Sequence, residues 1–122
     1  MREVMDVLKA LADESRVRLL FALRDGELCV CQLIALMDLA PSTVSKHLSI
    51  LRSARLVDSR KDGRWMYYRL PRKFQNSSAG RVLDLLFKEI EDSDQILDDQ
   101  KHLKKICSED IGKLCQRLFC KL

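Results

Sequence analysis

Five cysteines occur in the 122-residue chain, and a single valine separates two of them, Cys29 and Cys31. Thiolates are soft donors, so such a pair suits As(III), Sb(III), Cd(II) or Pb(II), and softness alone does not choose among these ions. A thiolate near a helix N-terminus is further favoured by the local positive field. In a regular helix, residues two apart point about 200° apart around the axis, so both sulfurs meet on one small ion only if that turn unwinds. Ligand binding would then strain the helix that carries them. The same two residues would also serve as small buried side chains, a common place for free cysteine. Cys107, Cys115 and Cys120 lie much later; on a continuous helix the first two differ by about 80° and the last two by about 140°. Their convergence requires a bend or a second chain. Five thiols cannot all pair within one chain, and a reducing compartment disfavours disulfides, so free thiols and metal ligation are the expected states.

The elements that must position these residues follow from apolar spacing. Val4, Met5, Leu8, Leu11 and Ala12 recur at helical intervals, and a second pattern through Val17, Leu20, Phe21 and Leu23 stops at Asp25-Gly26. Val30, Leu33, Ile34 and Met37 make a third stripe, closed by Asp38-Leu39-Ala40. Pro41-Ser42 opens a fourth helix in which Val44, Leu48 and Leu51 face inward, while Ser42, Ser45, Lys46, Ser49 and Ser53 lie outward or on the flanks. A short helix, a tight turn and a second helix with a polar, basic face result, with residues 33–52 as the helix-turn-helix.

The next segment, 56–70, reads as a hairpin. Asp62-Gly63 between two β-prone runs marks the turn. Met66, Tyr68 and Leu70 alternate onto one face, toward the core, and Arg60, Lys61 and Arg64 crowd the tip. Gln75-Asn76-Ser77-Ser78 is linker-like, and Val82, Leu83, Leu86, Phe87 and Ile90 then form an amphipathic helix. Further apolar positions follow at Ile96, Leu97, Leu103 and Ile106, and at Ile111, Leu114, Leu118 and Phe119.

Composition sets the class. The chain is 47% hydrophobic and 33% charged with four glycines and two prolines, as expected of one helix-rich globular domain. Net charge is only +4, yet residues 41–73 hold nine Lys/Arg against two Asp, while 79–122 hold eight against nine acids. A local positive surface beside a near-neutral remainder points to a polyanion partner on one face and self-association on another. No apolar run approaches the roughly 20 residues needed to cross a bilayer. The opening segment lacks the pattern of a secretory signal. A cytoplasmic location with no membrane partner is expected.

The order helix, helix, helix-turn-helix, basic hairpin, terminal helix is a winged helix-turn-helix layout, mainly α with a small β-hairpin wing and extra C-terminal helices. Double-stranded DNA is the partner this layout favours, because a helix fits the major groove and basic groups at a wing tip reach phosphates or the minor groove. The competing reading of residues 41–53 is a solvated helix of an all-α domain. An enzyme, for instance a thiol-dependent reductase using Cys29 and Cys31, is disfavoured by the lack of a βαβ pattern or a Gly-rich phosphate loop.

Glu27-Leu28-Cys29-Val30-Cys31-Gln32-Leu33, then Ser45-Lys46-His47-Leu48 and Leu51-Arg52, then Arg60-Lys61-Asp62-Gly63-Arg64-Trp65 with Tyr68-Arg69-Leu70, resemble the ArsR/SmtB metalloregulatory repressors over about residues 3–92. The resemblance implies a winged-helix homodimer that represses its own operon and leaves operator DNA on binding a thiophilic metal or metalloid. Cys29 and Cys31 match the cysteine pair of the arsenic-responsive branch. Ser42, Ser45, Lys46, His47 and Ser49 are the candidate base or backbone contacts, with Arg60, Lys61 and Arg64 on phosphate or in the minor groove. His47 is assigned by resemblance and sits on the flank of its helix, where it could instead bond within the fold.

Arsenic-responsive relatives with this cysteine pair usually add a third cysteine three positions later, where this chain has Ile34. The expected ligand set is therefore Cys29 and Cys31 together with a residue among Cys107, Cys115 and Cys120, or the three distal cysteines as a separate site. A dithiol pair alone would suit an organoarsenical. As(III) or Sb(III) is the expected inducer, with Cd(II), Pb(II) or Zn(II) and thiol oxidation as alternatives within the same fold. Asp94, Asp98 and His102 have helical spacing that imitates a zinc site of the family, although surface acids are usually only solvated. Residues 1–92 are expected to form the DNA-binding and dimerisation domain, and 93–122 a helical extension carrying three cysteines. Val4, Leu8, Leu11, Val82, Leu83, Leu86 and Ile90 are the expected dimer surface, since two amphipathic helices offer more apolar face than one small core needs.

Overall fold

The computed structural model describes residues 1–72 and 77–119. Among these described residues, seven helices and three short strands follow one another: α1 (Arg2–Leu11), α2 (Glu14–Ala22), β1 (Leu28–Cys29), α3 (Val30–Met37), α4 (Pro41–Ser53), β2 (Asp58–Asp62), β3 (Trp65–Arg69), α5 (Ser78–Ile90), α6 (Asp94–Cys107) and α7 (Ile111–Phe119). The expected winged helix-turn-helix is present: α3 and α4 form the helix pair and β2–β3 the wing.

Local chemistry sets the boundaries. Asp13 caps α2 by accepting from the Arg16 amide at 3.1 Å. Pro41 occupies the first turn of α4, where its missing N–H costs nothing. Asp38 ends α3 in the left-handed region (φ 53°, ψ 40°), which produces the tight turn into α4. Ser77, read from sequence as linker, is instead the cap of α5 and accepts from the Gly80 amide at 3.0 Å; Gln75 and Asn76 of that stretch lie outside the described residues. In the wing, Asp62 pairs with Trp65, so the turn residues are Gly63-Arg64 and not Asp62-Gly63. Gly63 supplies the positive φ of 62° that the first position of a Gly-X turn requires.

The main core gathers Leu19 and Leu20 of α2, Leu33 of α3, Val44, Leu48 and Leu51 of α4, Leu56, and Leu83 of α5, all fully buried. Val44, Leu48 and Leu51 thus face inward as their spacing predicts, and Phe21 meets Phe87 edge-on at 5.1 Å to join α2 to α5. Leu83, expected on the dimer surface, is a core residue at 1% exposure. It lies on the inner face of an amphipathic helix whose outer face keeps Val82 and Leu85 exposed. Val4, Met5 and Leu8 of α1 are exposed as well, and Val4, Leu8 and Val82 line one groove of about 720 Å³.

The sheet has a strand the periodicity did not indicate. β1 adds to the wing in the order β1-β3-β2, all antiparallel, with Leu28 opposite Tyr68 and Cys29 opposite Tyr67. Both faces of β3 are therefore used. Tyr68 and Leu70 pack on the main core as their alternation predicts, Met66 instead lines a surface cleft, and Trp65 and Tyr67 cover a second, smaller cluster. That cluster joins Cys29, Cys31 and Leu36 to Ile106, Leu114 and Cys115 of the C-terminal helices. Among the described residues no helix is long and apolar enough to cross a membrane.

Candidate metal centre and nucleic-acid interface

Cys29 is not in a helix. It is the N-cap of α3 and the last residue of β1, with extended backbone (φ −72°, ψ 148°). Its amide donates to Gln32 Oε1 at 2.8 Å, which holds the strand-to-helix corner. The 200° divergence expected for two helical residues does not apply, and the Cys29 and Cys31 sulfurs share one site with no unwinding. The physical reason is the β1 pairing with the wing, which keeps residue 29 extended until the helix begins.

The third sulfur comes from α7. Cys29, Cys31 and Cys115 have all three Sγ atoms within 4.8 Å of one another, and all three residues are buried. This is close to the span one ion can bridge with bonds of about 2.3 Å to thiolate. Cys31 and Cys115 are joined as a disulfide with Cα atoms 5.4 Å apart, while Cys29 is free. The expectation of free thiols is thereby corrected for two residues: their 84-residue separation hides a contact made when α7 packs on α3. Cys107 is exposed and stands outside the group. Cys120 lies outside the described residues.

Two features bring α7 to this place. Asp99 of α6, 6% exposed, accepts two bonds of 2.8 Å from the Arg18 guanidinium of α2 and a third of 3.0 Å from Gln95. The Asp99 carboxylate raises the Arg18 pKa, chiefly through its hydrogen bonds, against the opposing effect of burial. Ile106 and Leu103 then pack toward the cysteines, and Asp110 caps α7 by accepting from the Lys113 amide at 3.3 Å. Nothing in local periodicity announces the Arg18–Asp99 pair; an acid on the inward side of an otherwise amphipathic α6 is the signal that could have found it.

Burial pushes the Cys29 thiol pKa up, with the backbone amides of Cys31 and Val30 pulling the other way. Burial also raises that of Cys107. The donor set is three soft sulfurs with no carboxylate or imidazole in the group. Such a set fits a three-coordinate thiophilic ion better than a hard cation. Asp94, Asp98 and His102 do not assemble a comparable group; Asp98 and His102 approach only to 3.7 Å and both are well exposed.

On α4, Ser42, Ser45, Lys46 and Ser49 are exposed, as is Thr43, which the sequence reading passed over. His47 is half-buried and turns toward α2, its Nδ1 lying 3.4 Å from Arg16 Nη1. Arg16 is itself anchored to the Ala10 carbonyl at 2.7 Å and the Lys9 carbonyl at 3.1 Å. Lys61 and Arg64 are exposed near the wing tip. Arg60 is engaged within the protein: it donates to both Glu27 oxygens, at 2.6 and 2.9 Å, and its guanidinium stacks on Tyr67. The pair lowers the Glu27 pKa, mainly through that hydrogen bond, and ties the wing to the residue preceding β1.

Residues 13–59 match the model of the bacterial regulatory proteins of the arsR family. The chain is also 37% identical over 99 residues to the arsenic resistance transcriptional regulator ArsR1 of Pseudomonas putida, covering 78% of this chain and 73% of that protein. The chain belongs to the arsR family. Other members of the family that it resembles include the arsenical resistance operon repressor of Escherichia coli, 42% identical over 67 residues (54% of this chain, 57% of that one). A cadmium resistance regulatory protein CadC homolog of Staphylococcus aureus is 38% identical over 69 residues, again covering just over half of each chain. Among solved structures, a homodimeric winged helix-turn-helix domain from Mycobacterium bovis, a possible ArsR-family regulator, aligns with a TM-score of 0.63 at 29% identity over 74% of this chain and 80% of its own. The arsR-family members found are DNA-binding regulators and not enzymes, and the thiol-reductase reading is set aside.

Proposed function

We propose that this arsR-family repressor binds operator DNA as a homodimer and releases it when Cys29, Cys31 and Cys115, in their reduced form, bind As(III) or Sb(III). The observation that carries this reading is the convergence of three buried sulfurs at the corner where β1 turns into α3. Relatives named for arsenic resistance support the choice of ion.

In the DNA-bound state, Ser42, Ser45, Lys46 and Ser49 of α4 enter the major groove while Lys61 and Arg64 meet phosphate or the minor groove. His47 and Arg60 belong to the interface only if their contacts to Arg16 and Glu27 rearrange. Val4, Leu8 and Val82, exposed along one groove, supply the dimer face. The three thiolates would draw α7 against the start of α3, which supports α4, and against β1, which is paired to the wing. One binding event would therefore bias both DNA-contacting elements. In this reading Cys115 supplies the third sulfur; Cys107 is exposed and outside the group, and Cys120 lies outside the described residues.

The test is fluorescence anisotropy of labelled upstream DNA with reduced protein, titrated with arsenite and separately with zinc, cadmium and peroxide. Release by arsenite, abolished in Cys29→Ser, supports the reading. Release by cadmium or zinc alone would move the chain toward the cadmium-resistance relatives. Release by peroxide alone would leave oxidation as the signal.

A further inference from the structure

The disulfide poses a chemical problem for the site just described: two of its three sulfurs are bonded to each other and cannot ligate anything until that bond is opened. The disulfide also has an approach. A cleft of about 950 Å³ lies between the wing tip and α7, with Cys31 and Cys115 among its lining residues. Arg64 and Trp65 form one wall, and Lys113 and Gln116 of α7 another.

The charges of this cleft are unbalanced. Arg64 and Lys113 are exposed cations that take part in no ion pair among the described residues. The acid present, Asp110, is occupied as the cap of α7, where the positive end of the helix offsets its charge. Two cations against one acid, with Arg64 lying 5.8 Å from the centre of the Trp65 ring, favour a small anionic guest with an organic body. The reactive group in contact with the cleft is a disulfide, and a small organic thiol opens a disulfide by thiolate attack with no further reagent.

We infer that the cleft is the docking site of an anionic low-molecular-weight thiol, which opens Cys31–Cys115 and so arms the three-sulfur site. The docked thiolate attacks the Cys115 sulfur; a new sulfur–sulfur bond forms, the Cys31–Cys115 bond breaks, and its electron pair leaves on the Cys31 sulfur, which takes up a proton. A second thiolate attacks the mixed disulfide, is released with the first as their symmetrical disulfide, and leaves Cys115 as a thiolate. Two external thiols are oxidised and one protein disulfide is reduced. That the freed thiols then take a metalloid rests on the function proposed above; the docking itself does not.

The experiment uses the oxidised full chain at low salt and three thiols of different charge: glutathione (anionic), 2-mercaptoethanol (neutral) and cysteamine (cationic). Each rate is corrected to thiolate concentration and followed by mass-tagging of free cysteines and by emission of Trp65, the chain's one tryptophan. Glutathione should outpace cysteamine by about tenfold, and the margin should shrink at about 0.5 M salt. Lys113→Gln, an exposed position, should reduce the margin by slowing glutathione, whose reacting thiolate carries the most negative charge, more than 2-mercaptoethanol, and 2-mercaptoethanol more than cysteamine. Equal rates for the three thiols, or a margin that Lys113→Gln does not touch, would overturn the inference. A parallel arm adds arsenite to phosphine-reduced protein on DNA. Charge-selective opening without arsenite release keeps the docking site and removes the metalloid reading; arsenite release without charge selectivity does the reverse.

Discussion

Arg18 and Asp99 lie 81 residues apart in sequence and form a two-pronged ion pair, Nε and Nη2 each 2.8 Å from a carboxylate oxygen, that fixes α6 to α2. The described residues C-terminal to it, Cys115 among them, are placed by that anchor and by the apolar packing that follows. Asp99→Asn would leave the Arg18 charge without its partner in a largely buried position, with an expected loss of about 3 kcal/mol. A fall in the urea midpoint at unchanged slope measures it. In reduced protein the same change should weaken arsenite release more than DNA affinity, because α4 is held directly by the main core whereas the placement of Cys115 depends on α6.

Cysteine substitutions separate the three-sulfur set from the remaining thiols. Cys29→Ser and Cys115→Ser should each keep DNA binding within about twofold, an effect below about 0.5 kcal/mol, and should each abolish arsenite release. Cys107→Ser should change neither, since that residue is exposed and apart from the cluster. Normal release from Cys115→Ser would show that α7 is not part of the sensor.

Contacts on the DNA side divide by whether a cation is already occupied. Lys46→Ala and Lys61→Ala should each lower affinity and reduce the slope of log affinity against log salt by about 1. Arg60→Ala should move that slope less, its charge being paired with Glu27. His47→Ala should act mainly on stability through Arg16. Anisotropy titrations between low and moderate salt distinguish the four.

The raised Cys29 pKa has a definite sign. Alkylation of the oxidised chain in a Cys107→Ser, Cys120→Ser background should show a pH midpoint above the ordinary thiol value of about 8.5. Between the unfolded and folded pKa values the native state binds the extra proton, so this group's contribution to stability is complete below the ordinary value and declines as pH rises past it. A midpoint at or below the ordinary value would contradict the burial-dominated environment.

Much of this molecule could be read from its residues, because the informative patterns were local. Helical spacing located α4 and its inward trio Val44, Leu48 and Leu51, and Gly63 located the wing within one residue. β1 escaped because a two-residue strand has no period, and it is this strand that holds Cys29 extended. Cys115 was one of three equal candidates for the same kind of reason. Choosing it required knowing that α7 folds back onto α3, a matter of Arg18, Asp99 and Leu114 acting across the chain. Arg60 and His47 were legible as cations and polar groups but not as residues with partners, since Glu27 and Arg16 lie 33 and 31 positions away.

The Cys31–Cys115 bond makes the oxidised polypeptide a covalent circle with two tails, and the circle encloses α4, the whole wing and α5. A protease cutting at the wing tip would leave one piece, not two, until a reductant is added. Closing a loop of this size also restricts the unfolded chain by about 4.5 kcal/mol in loop-entropy terms. The form with its thiols free to respond is consequently the looser one, and readiness to sense is acquired by surrendering part of the fold's own restraint.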